Sequence, residues 1–499
     1  MRSKYKTLLF LLAGHLTLAS CSKSFIDSVV PANGDITSNL IFTSQVGVDN
    51  AMTGIYEIMR DYITPNGQAN MYGWKTAQLN FDMRGNDLIA QPANWYSFEN
   101  NWVDDDFGRV ATSNRTLQMW NLCYKVINNA NTIIANVPSA PIGQADQDAD
   151  IAEARALRGW AYFNLARIYQ FTYARDTTAP GVPIYTTPSD GSTSGNPRSP
   201  LNAVYQLIVS DLESASATLT TTRVDKYRIN KNVAQGILAE VYQEMAMADP
   251  TLWAKAESNA ASATAGFSLM PNAATNGYAD GFNTVTNGEW IWGLQFNASQ
   301  SYGFASFFGF IEPDSTAKPN FRYNDIYVNT TFVNLFSSTD MRRLFIENQA
   351  AIGSSTPWVQ WQTMKFRDNS TVSGDYVMMR AAEMYLIQAE AQAQQGELAT
   401  AETTLYALQH ERDTAATMIT TPNKDSLLYY IRVERRKELY GEMGVEYFDL
   451  KRYQLSMIRD GVQWSTITVP AGDNRWRWQI PQSEMDGNKS LTAADQNPL

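Results

Sequence analysis

Residues 427–453, LLYYIRVERRKELYGEMGVEYFDLKRY, place charged side chains inside an apolar helical stripe. Leu428, Ile431 and Leu439 fall on one helical face, and Arg435 stands between the second and the third of them. A charge in an apolar stripe needs a partner or access to water, because burying it alone costs several kcal/mol. The stretch therefore predicts either a structural helix held by ion pairs or an acid and base pair of an active site.

Helical periodicity recurs along much of the chain and stops at Gly441 and Gly444 in this stretch. Ala389 and Ala401 are twelve residues apart, the spacing that lets the two helices of a tetratricopeptide repeat touch closely. Ala239 and Ala254 fit the same pattern if the turn between them carries an insertion. An ordinary helical hairpin explains each pair equally well, but several hairpins in one chain favour a right-handed repeat scaffold. The predicted helices are residues 48–63, 117–137, 150–169, 201–219, 232–247, 253–265, 377–395, 398–413 and 427–440, with another starting near residue 447.

Two long regions lack this periodicity. Residues 66–110 are rich in Asn, Gly and aromatic residues, and a loop of that length in a compact protein is usually functional. Residues 266–374 are also irregular, apart from a short predicted strand at residues 289–296. Trp290 and Trp292 alternate in this strand, and we expect at least one of them in the core. The fold class expected is mostly α, a tetratricopeptide-like right-handed helical scaffold with an irregular lobe of loops and short strands.

The first twenty residues predict a targeting segment. Arg2, Lys4 and Lys6 precede a short apolar run that is too short to span a bilayer as a mature helix. The segment ends Leu-Ala-Ser-Cys, which resembles a bacterial lipobox in which Cys21 becomes the lipidated first residue; the alternative is a plain secretory signal cut nearby. Removing three positive and no negative residues takes the net charge from −11 to −14. Acyl chains on Cys21 would form a stable membrane anchor.

The residue supply excludes several kinds of chemistry. After residue 20 the chain has one histidine, His410, so a Ser-His-Asp triad or a histidine-ligated metal site is not expected. The net charge argues against a nucleic-acid surface, since no basic patch is evident. Cys123 lies in a helical pattern and is predicted to be a buried core residue, with no disulfide to a lipidated Cys21.

Paired carboxylates could still hydrolyse glycosides without histidine. The acidic cluster at residues 104–106 is the obvious candidate, although a solvated turn is its commoner meaning. Asp146, Asp148 and Asp150 resemble the start of a calcium loop, but Ile151 stands where that loop needs Gly. We therefore interpret these three aspartates as loop and helix N-cap residues.

The chain resembles the SusD/RagB family of outer-membrane lipoproteins of Bacteroidetes-type bacteria. The resemblance begins at Cys21 and the 48–56 helix, covers nearly the whole mature chain, and rests on the order and spacing of its segments together. These are EARALRGWAYFNLARIYQ (153–170), GVPIY (181–185), PRSPLNAVYQLIVSDLESA (197–215), STDMRR (338–343), MRAAEMYLIQAEA (379–391), IRVERRKELYGEMGVEYFDLKR (431–452), IPQSEMDGN (480–488) and QNP (496–498).

This resemblance implies a surface-exposed lipoprotein of the outer membrane that caps a SusC-like TonB-dependent transporter and acts as its lid. Members bind oligosaccharides or polysaccharides, or in RagB-like cases peptides, and are not enzymes, so no catalytic residue, metal or cofactor is expected. A surface glycoside hydrolase is the less favoured alternative. The expected division is residues 1–20 as signal, 21–265 as the N-terminal helical region, 266–374 as a variable lobe and 375–499 as the C-terminal helical region.

Ligand contacts are expected in residues 66–110, which we call the aromatic loop. Trp and Tyr offer flat faces to the C–H face of a sugar ring, and Asn, Asp and Arg bond its hydroxyls. Similar members of the family place binding aromatics in the corresponding early loop. A second group is Tyr302 with Phe304, Phe307 and Phe308, of which the phenylalanines are better suited to core packing or transporter contact. The predicted ligand-binding residues are Trp74, Arg84, Asp87, Trp95, Tyr96, Asn100, Trp102 and Tyr302.

The family interpretation makes the charges of residues 427–453 structural. Arg435 should then pair with an acid from another segment, either Glu390 of the preceding hairpin or Asp449.

Overall fold

The computed structural model describes residues 41–61, 68–92, 94–104, 108–272, 277–313, 326–347, 361–368, 372–420, 423–460 and 466–499. The N-terminal region is helical: α1 (Gln45–Arg60), α2 (Gly73–Asp82), α3 (Ser97–Asn100), α4 (Asn114–Asn136), α5 (Gln144–Tyr169), α6 (Leu201–Thr218), α7 (Lys231–Met245) and α8 (Trp253–Ala263). The later helices are α9 (Gly277–Asp280), α10 (Phe307–Ile311), α11 (Thr330–Val333), α12 (Ala381–Gln394), α13 (Leu398–Arg412), α14 (Lys424–Leu439), α15 (Val445–Arg452) and α16 (Gln482–Gly487).

The strands are short and antiparallel. They are β1 (Leu88–Ala90), β2 (Pro180–Pro183), β3 (Arg198–Pro200), β4 (Trp290–Leu294), β5 (Ile326–Val328), β6 (Phe345–Glu347), β7 (Trp361–Thr363), β8 (Tyr376–Arg380), β9 (Met457–Arg459) and β10 (Ile467–Val469). One four-stranded sheet has the order β1-β5-β7-β6, so it joins the aromatic loop to the irregular lobe. The other strands form the pairs β2–β3, β4–β8 and β9–β10.

Consecutive helices pack against each other as hairpins, α4 on α5, α5 on α6, α7 on α8 and α12 on α13, and α8 also packs on α12. The fold class predicted from the sequence, a mostly α, tetratricopeptide-like scaffold, is confirmed. Ala389 and Ala401 are both fully buried in the hairpin of α12 and α13, as the repeat spacing predicted. Ala239 is buried as well, but Ala254 is exposed, so that pairing was wrong. Trp253, Ala256 and Ala260 form the buried face of α8 instead.

The predicted helices agree with the observed ones within a few residues, apart from a six-residue difference at the start of α5, but residues 377–380 were assigned wrongly. They belong to strand β8, which pairs with β4 before α12 begins at Ala381. A continuous buried run such as Tyr376–Arg380 has no periodicity that separates strand from helix. The predicted strand at residues 289–296 is confirmed as β4, and Trp290 and Trp292 are both in the core.

Helix α2 was missed inside the loop expected to be irregular. Every residue of Gly73–Asp82 is buried, so the helix has no polar face to reveal it in the sequence. The three aspartates interpreted as loop and cap residues are also helical, since α5 begins at Gln144 with Gly143 as its N-cap. Acidic side chains in the first turns of a helix are stabilised by its dipole, which accounts for them without a ligand.

A buried ion cluster joins the C-terminal helices to the irregular lobe. We define it as Glu289, Arg342, Arg380, Arg412 and Glu438, whose side chains are at most 1% exposed. Nη2 of Arg412 lies 2.8 Å from Oε2 of Glu289 and 2.9 Å from Oε1 of Glu438. Nη1 of Arg342 lies 2.7 Å from Oε2 of Glu438, and Arg380 bonds the same carboxylate. Two carboxylates and three guanidiniums thus share one buried site.

The charge that interrupts the apolar stripe is paired as predicted. Nε of Arg435 lies 2.8 Å from Oδ2 of Asp449, and both are mostly buried. Glu390 instead holds Arg452, which also bonds Asp449 at 3.0 Å. Gly441 and Gly444 both have positive φ and lie between the end of α14 and the start of α15, where the helix was expected to break. Cys123 is buried and free of disulfides, and burial raises the pKa of its thiol.

Glu438→Gln should destabilise the protein by about 3–5 kcal/mol, because three buried guanidiniums would lose the one carboxylate that all of them share. The matched control is Glu397→Gln, an exposed carboxylate at the start of α13, which should change stability by less than about 0.5 kcal/mol. Urea unfolding followed by circular dichroism measures both. Equal stabilities of the two variants would contradict the structural role of the cluster.

Stability should also fall in acid through Glu438. Burial raises the pKa of this carboxyl, but Arg412, Arg380 and Arg342 outweigh it and hold the pKa well below its ordinary value of 4.5. A depressed pKa contributes stability that is fully present above the unfolded value and is lost as pH falls through the folded value. Urea unfolding free energies between about pH 6 and pH 3 should therefore decline below about pH 4.5 in the wild type. The decline should be shallower in Glu438→Gln, and parallel curves would refute the assignment.

Candidate ligand-binding site

The predicted aromatic loop is mostly built into the core. Trp74, Tyr96 and Trp102 are at most 2% exposed. Trp74 packs edge-on against Trp160 at 4.8 Å between centroids, and the Tyr96 hydroxyl donates to the Thr76 carbonyl at 2.7 Å. Nε1 of Trp102 donates to the Arg84 carbonyl at 3.1 Å. These three aromatics therefore serve the scaffold in this conformation.

The polar residues predicted for the site are used internally as well. Arg84 lies over the rings of Trp102 and Trp478, with its guanidinium carbon 5.0 and 5.6 Å from the ring centroids, and burial lowers its pKa. Asp87 forms an ion pair with Arg436 of α14. The Asn100 side-chain oxygen accepts from the backbone N–H of Ala90 at 3.2 Å and from Arg459 at 3.0 Å.

Trp95 and Tyr302 are the two predicted residues that keep partly exposed rings. A ligand contact by any of the eight remains a prediction, and these two have surface to offer one. Of the acidic cluster at residues 104–106, Asp104 bonds Nε of Arg109 at 2.6 Å, while Asp105 and Asp106 lie outside the described residues. Phe307 and Phe308 are buried, in agreement with core packing, whereas Phe304 is 49% exposed.

Tyr302 is part of an aromatic surface that we define as Tyr72, Trp95, Tyr302 and Phe304. The rings of Tyr72 and Tyr302 lie 4.5 Å apart between centroids with a 40° tilt. The Trp95 carbonyl accepts from Nδ2 of Asn70 at 3.2 Å, so Trp95 adjoins the turn at Ala69–Met71 that leads into Tyr72. Loops from two distant parts of the chain thus bring the partly exposed rings of Tyr72 and Tyr302 together.

A groove of about 240 Å³ adjoins this surface. Its wall includes Arg60 at the end of α1, Phe296, and the short turn that carries Asn297 and Gln300. The Arg60 guanidinium carbon lies 5.4 Å from the centre of the Phe296 ring, and Nη1 bonds Oε1 of Gln300 at 3.4 Å. The groove therefore sets amide and guanidinium groups beside the rings.

Asp61 connects the groove to the aromatic surface. The Tyr302 hydroxyl donates to Oδ1 of Asp61 at 2.8 Å. Burial and the hydrogen bond to this carboxylate raise the Tyr302 pKa, so the phenol stays protonated at neutral pH. The side chain is thereby held with its ring against Tyr72.

The position of Tyr72 depends on the residue after it. Gly73 begins α2 with a φ of +68°, and a Cβ there would overlap the carbonyl of Arg60. The N–H of Gly73 also donates to the Asp61 carbonyl at 3.1 Å. Tyr72 belongs to the predicted loop, but it was not among the predicted ligand contacts. The glycine that follows it was the one sequence signal that the backbone turns sharply at this tyrosine.

Among the described residues, no group of three or more His, Cys, Asp or Glu side chains is arranged to hold a metal ion. Of the helices in the described ranges, none combines the length and hydropathy of a membrane span. Cys21 lies outside those ranges.

Two family models together match nearly the whole chain after the targeting segment. Residues 32–243 match a model described as "Starch-binding associating with outer membrane", and residues 253–499 match the SusD family model. The chain belongs to the SusD/RagB family. The resemblance to this family, seen in residues 431–452 and the other segments, is confirmed.

Known SusD-like proteins give the same assignment. A "SusD-like protein" of Bacteroides ovatus is 29% identical over 253 residues, which is 48% of this chain and 39% of that protein. "SusD-like protein P38" of Formosa agariphila is 32% identical over 127 residues, 25% of this chain and 22% of its own length. The chain thus spans well under half the length of the curated relatives it matches.

Solved SusD structures match over almost their full length. A "SusD-like carbohydrate binding protein" from Bacteroides vulgatus has a TM-score of 0.78 at 27% identity and covers 91% of this chain and 98% of that one. A SusD superfamily protein from Bacteroides fragilis has a TM-score of 0.74 at 25% identity, over 91% and 100% of the two chains.

Gly73→Ala should lower the free energy of unfolding by more than about 2 kcal/mol, since the left-handed conformation costs about 1–2 kcal/mol and the overlap with Arg60 adds to it. Gly303→Ala is the matched control, because Gly303 also has positive φ but its Cβ would meet nothing within 4 Å. It should cost only the conformational part. Urea unfolding of both variants tests this, and equal losses would show that the approach to Arg60 is unimportant.

Proposed function

We propose that this SusD/RagB protein is a cell-surface lipoprotein that captures an oligosaccharide or polysaccharide on its aromatic surface. The observation that carries this is the pair formed by Tyr72 and Tyr302, held against each other and against Asp61, beside a polar groove. Flat rings suit the C–H faces of sugars, and the Arg60 and Gln300 groups beside them suit hydroxyls. The description of one matching family model as starch-binding supports the same class of ligand.

The anchor and the partner complete the proposal. Cys21 would be lipidated and hold the protein at the outer membrane, where it would deliver glycan to a SusC-like TonB-dependent transporter and act as its lid. The association with the outer membrane in the family description supports this location. The net charge of −14 after removal of the signal favours neutral glycans over strongly anionic ones, because like charges oppose capture.

Binding without turnover is the activity we propose. The carboxylates beside the groove already have partners, since Asp61 accepts from Tyr302 and Glu57 bonds Arg60. Incubation of the purified protein with oligosaccharides, followed by product detection, separates a binding protein from a glycoside hydrolase. Tight binding to peptides and to no glycan would favour a RagB-like peptide carrier.

Native affinity electrophoresis in amylopectin, xylan, galactomannan and mixed-linkage β-glucan should show retardation by at least one polysaccharide. Tyr72→Ala and Tyr302→Ala should each weaken that interaction about tenfold, equivalent to roughly 1.4 kcal/mol. Tyr302→Phe should retain most of it, because the ring remains.

Tyr430→Ala is the matched control, since Tyr430 is an exposed tyrosine of α14 outside this surface. Unchanged retardation in both Tyr72→Ala and Tyr302→Ala would exclude the aromatic surface as the binding site. Co-purification of the intact lipoprotein with a barrel-sized partner tests the transporter part separately.

A further inference from the structure

A second cleft, which we call the α4 cleft, lies between α4, the loop at residues 184–196 and α16. Its volume is about 440 Å³, within the range of about 300–1,000 Å³ usual for small-molecule sites. It shares no lining residue with the groove or the aromatic surface. Trp120, Tyr124 and Tyr185 supply its aromatic lining, and amides, hydroxyls, Lys125 and Glu484 supply the polar part.

The loop that forms one wall of the α4 cleft is held in place by side chains of the helices. Asn128 bonds the backbone of Ser189 in both directions, donating from Nδ2 to the carbonyl at 3.1 Å and accepting the N–H at 2.7 Å. Asn131 donates to the carbonyls of Tyr185 and Thr187, each at 3.1 Å. Tyr124 donates to the Pro183 carbonyl at 2.7 Å. The cleft is therefore preformed, which lowers the entropy cost of binding.

The aromatic rings of the cleft contact one another, and two of them are partly exposed. Tyr124 and Tyr185 meet edge to face with centroids 5.9 Å apart, and Trp120 lies 4.8 Å from Tyr124. Tyr124 and Tyr185 are both partly exposed, while Trp120 is buried beneath them. Tyrosines that keep an open face in a fixed cleft can take the apolar face of a sugar ring.

Several polar groups of the cleft are not used by the scaffold. Within the described ranges the Asn121 carboxamide and the Lys125 ammonium make no hydrogen bond or ion pair. The Tyr185 hydroxyl accepts from the N–H of Asn196 at 3.0 Å, which leaves its own proton to donate. Glu484 accepts from Nδ2 of Asn488 at 2.8 Å through one oxygen. Hydrogen-bond donors and hydrogen-bond acceptors thus both border the rings.

We propose that the α4 cleft is a second saccharide site, which binds a neutral mono- or disaccharide unit with its ring against Tyr185 and its hydroxyls on Asn121, Lys125 and Glu484. Because Lys125 and Glu484 carry opposite charges, an anionic or a cationic ligand would be attracted by one of them and repelled by the other. This arrangement favours a neutral ligand. The inference that the ligand is a sugar rests on the proposed function. The cleft and its unused polar groups are observed independently of the aromatic surface.

Saturation-transfer difference NMR with maltose, cellobiose, lactose and mannobiose tests the site on the purified protein. At least one disaccharide should give a signal that falls at least fivefold in both Asn121→Ala and Tyr185→Ala. Asn121→Ala leaves the loop contacts intact, so it keeps the test valid if Tyr185→Ala loosens the loop. Tyr185→Phe should retain more signal than Tyr185→Ala. Tyr430→Ala should change the signal less than twofold. Repeating the cleft variants in a Tyr72→Ala background removes any signal that comes from the aromatic surface.

The outcomes separate the two proposals. No signal with any of the four disaccharides on the wild type, or a signal that persists in both cleft variants, overturns the second site. A signal that depends on Asn121 and Tyr185 upholds the second site even if polysaccharide retardation is absent or unaffected by Tyr72→Ala. Retardation lost in Tyr72→Ala with no cleft-dependent signal leaves the aromatic surface as the site and refutes the α4 cleft.

Discussion

The carboxylate of Glu438 is the interaction on which the C-terminal half of the structure depends. It bonds Arg342, Arg380 and Arg412, which come from the segment before β6, the end of β8 and the end of α13. Removing charged groups from water is costly, so each charged side chain of such a cluster can stay buried only while its partners compensate its charge. One side chain thereby ties three segments, distant in sequence, to the end of α14.

The same charge network reaches the candidate site through the turn after α14. Arg380 bonds Oε1 of Glu442 at 2.7 Å, and Lys75 of α2 donates to the Glu442 carbonyl. Asp82, at the other end of α2, accepts the N–H groups of Gly441 and Gly444 at 2.9 and 3.0 Å. Both ends of α2 are thus docked on one turn. Because Tyr72 immediately precedes α2, the buried charges set the position of the aromatic surface.

Amphipathic helices could be predicted from the sequence, and elements without two distinct faces could not. In helix α1 the buried residues Met52, Ile55 and Met59 alternate with partly exposed positions, so the helical period can be recognised in the sequence. Helix α2 and strand β8 are buried along their whole length, which removes the polar face that a period requires. That Arg435 pairs with an acid was predictable because an isolated charge in an apolar stripe demands a partner, but the sequence left Glu390 and Asp449 both open, and the structure pairs it with Asp449.

The site was less predictable because aromatic content does not distinguish a binding face from a core. The C-terminal tail covers the predicted loop: the Arg84 guanidinium lies over the Trp478 ring, and Trp476 packs edge-on against Trp102 with centroids 4.8 Å apart. Such long-range cover is invisible in the local composition of residues 66–110. What separates the two uses is whether ring faces and polar atoms are already occupied. Trp74, Tyr96 and Trp102 of the predicted loop have buried rings, whereas Tyr72 and Tyr302 keep partly exposed rings and, in the α4 cleft, Asn121 and Lys125 keep unused polar groups.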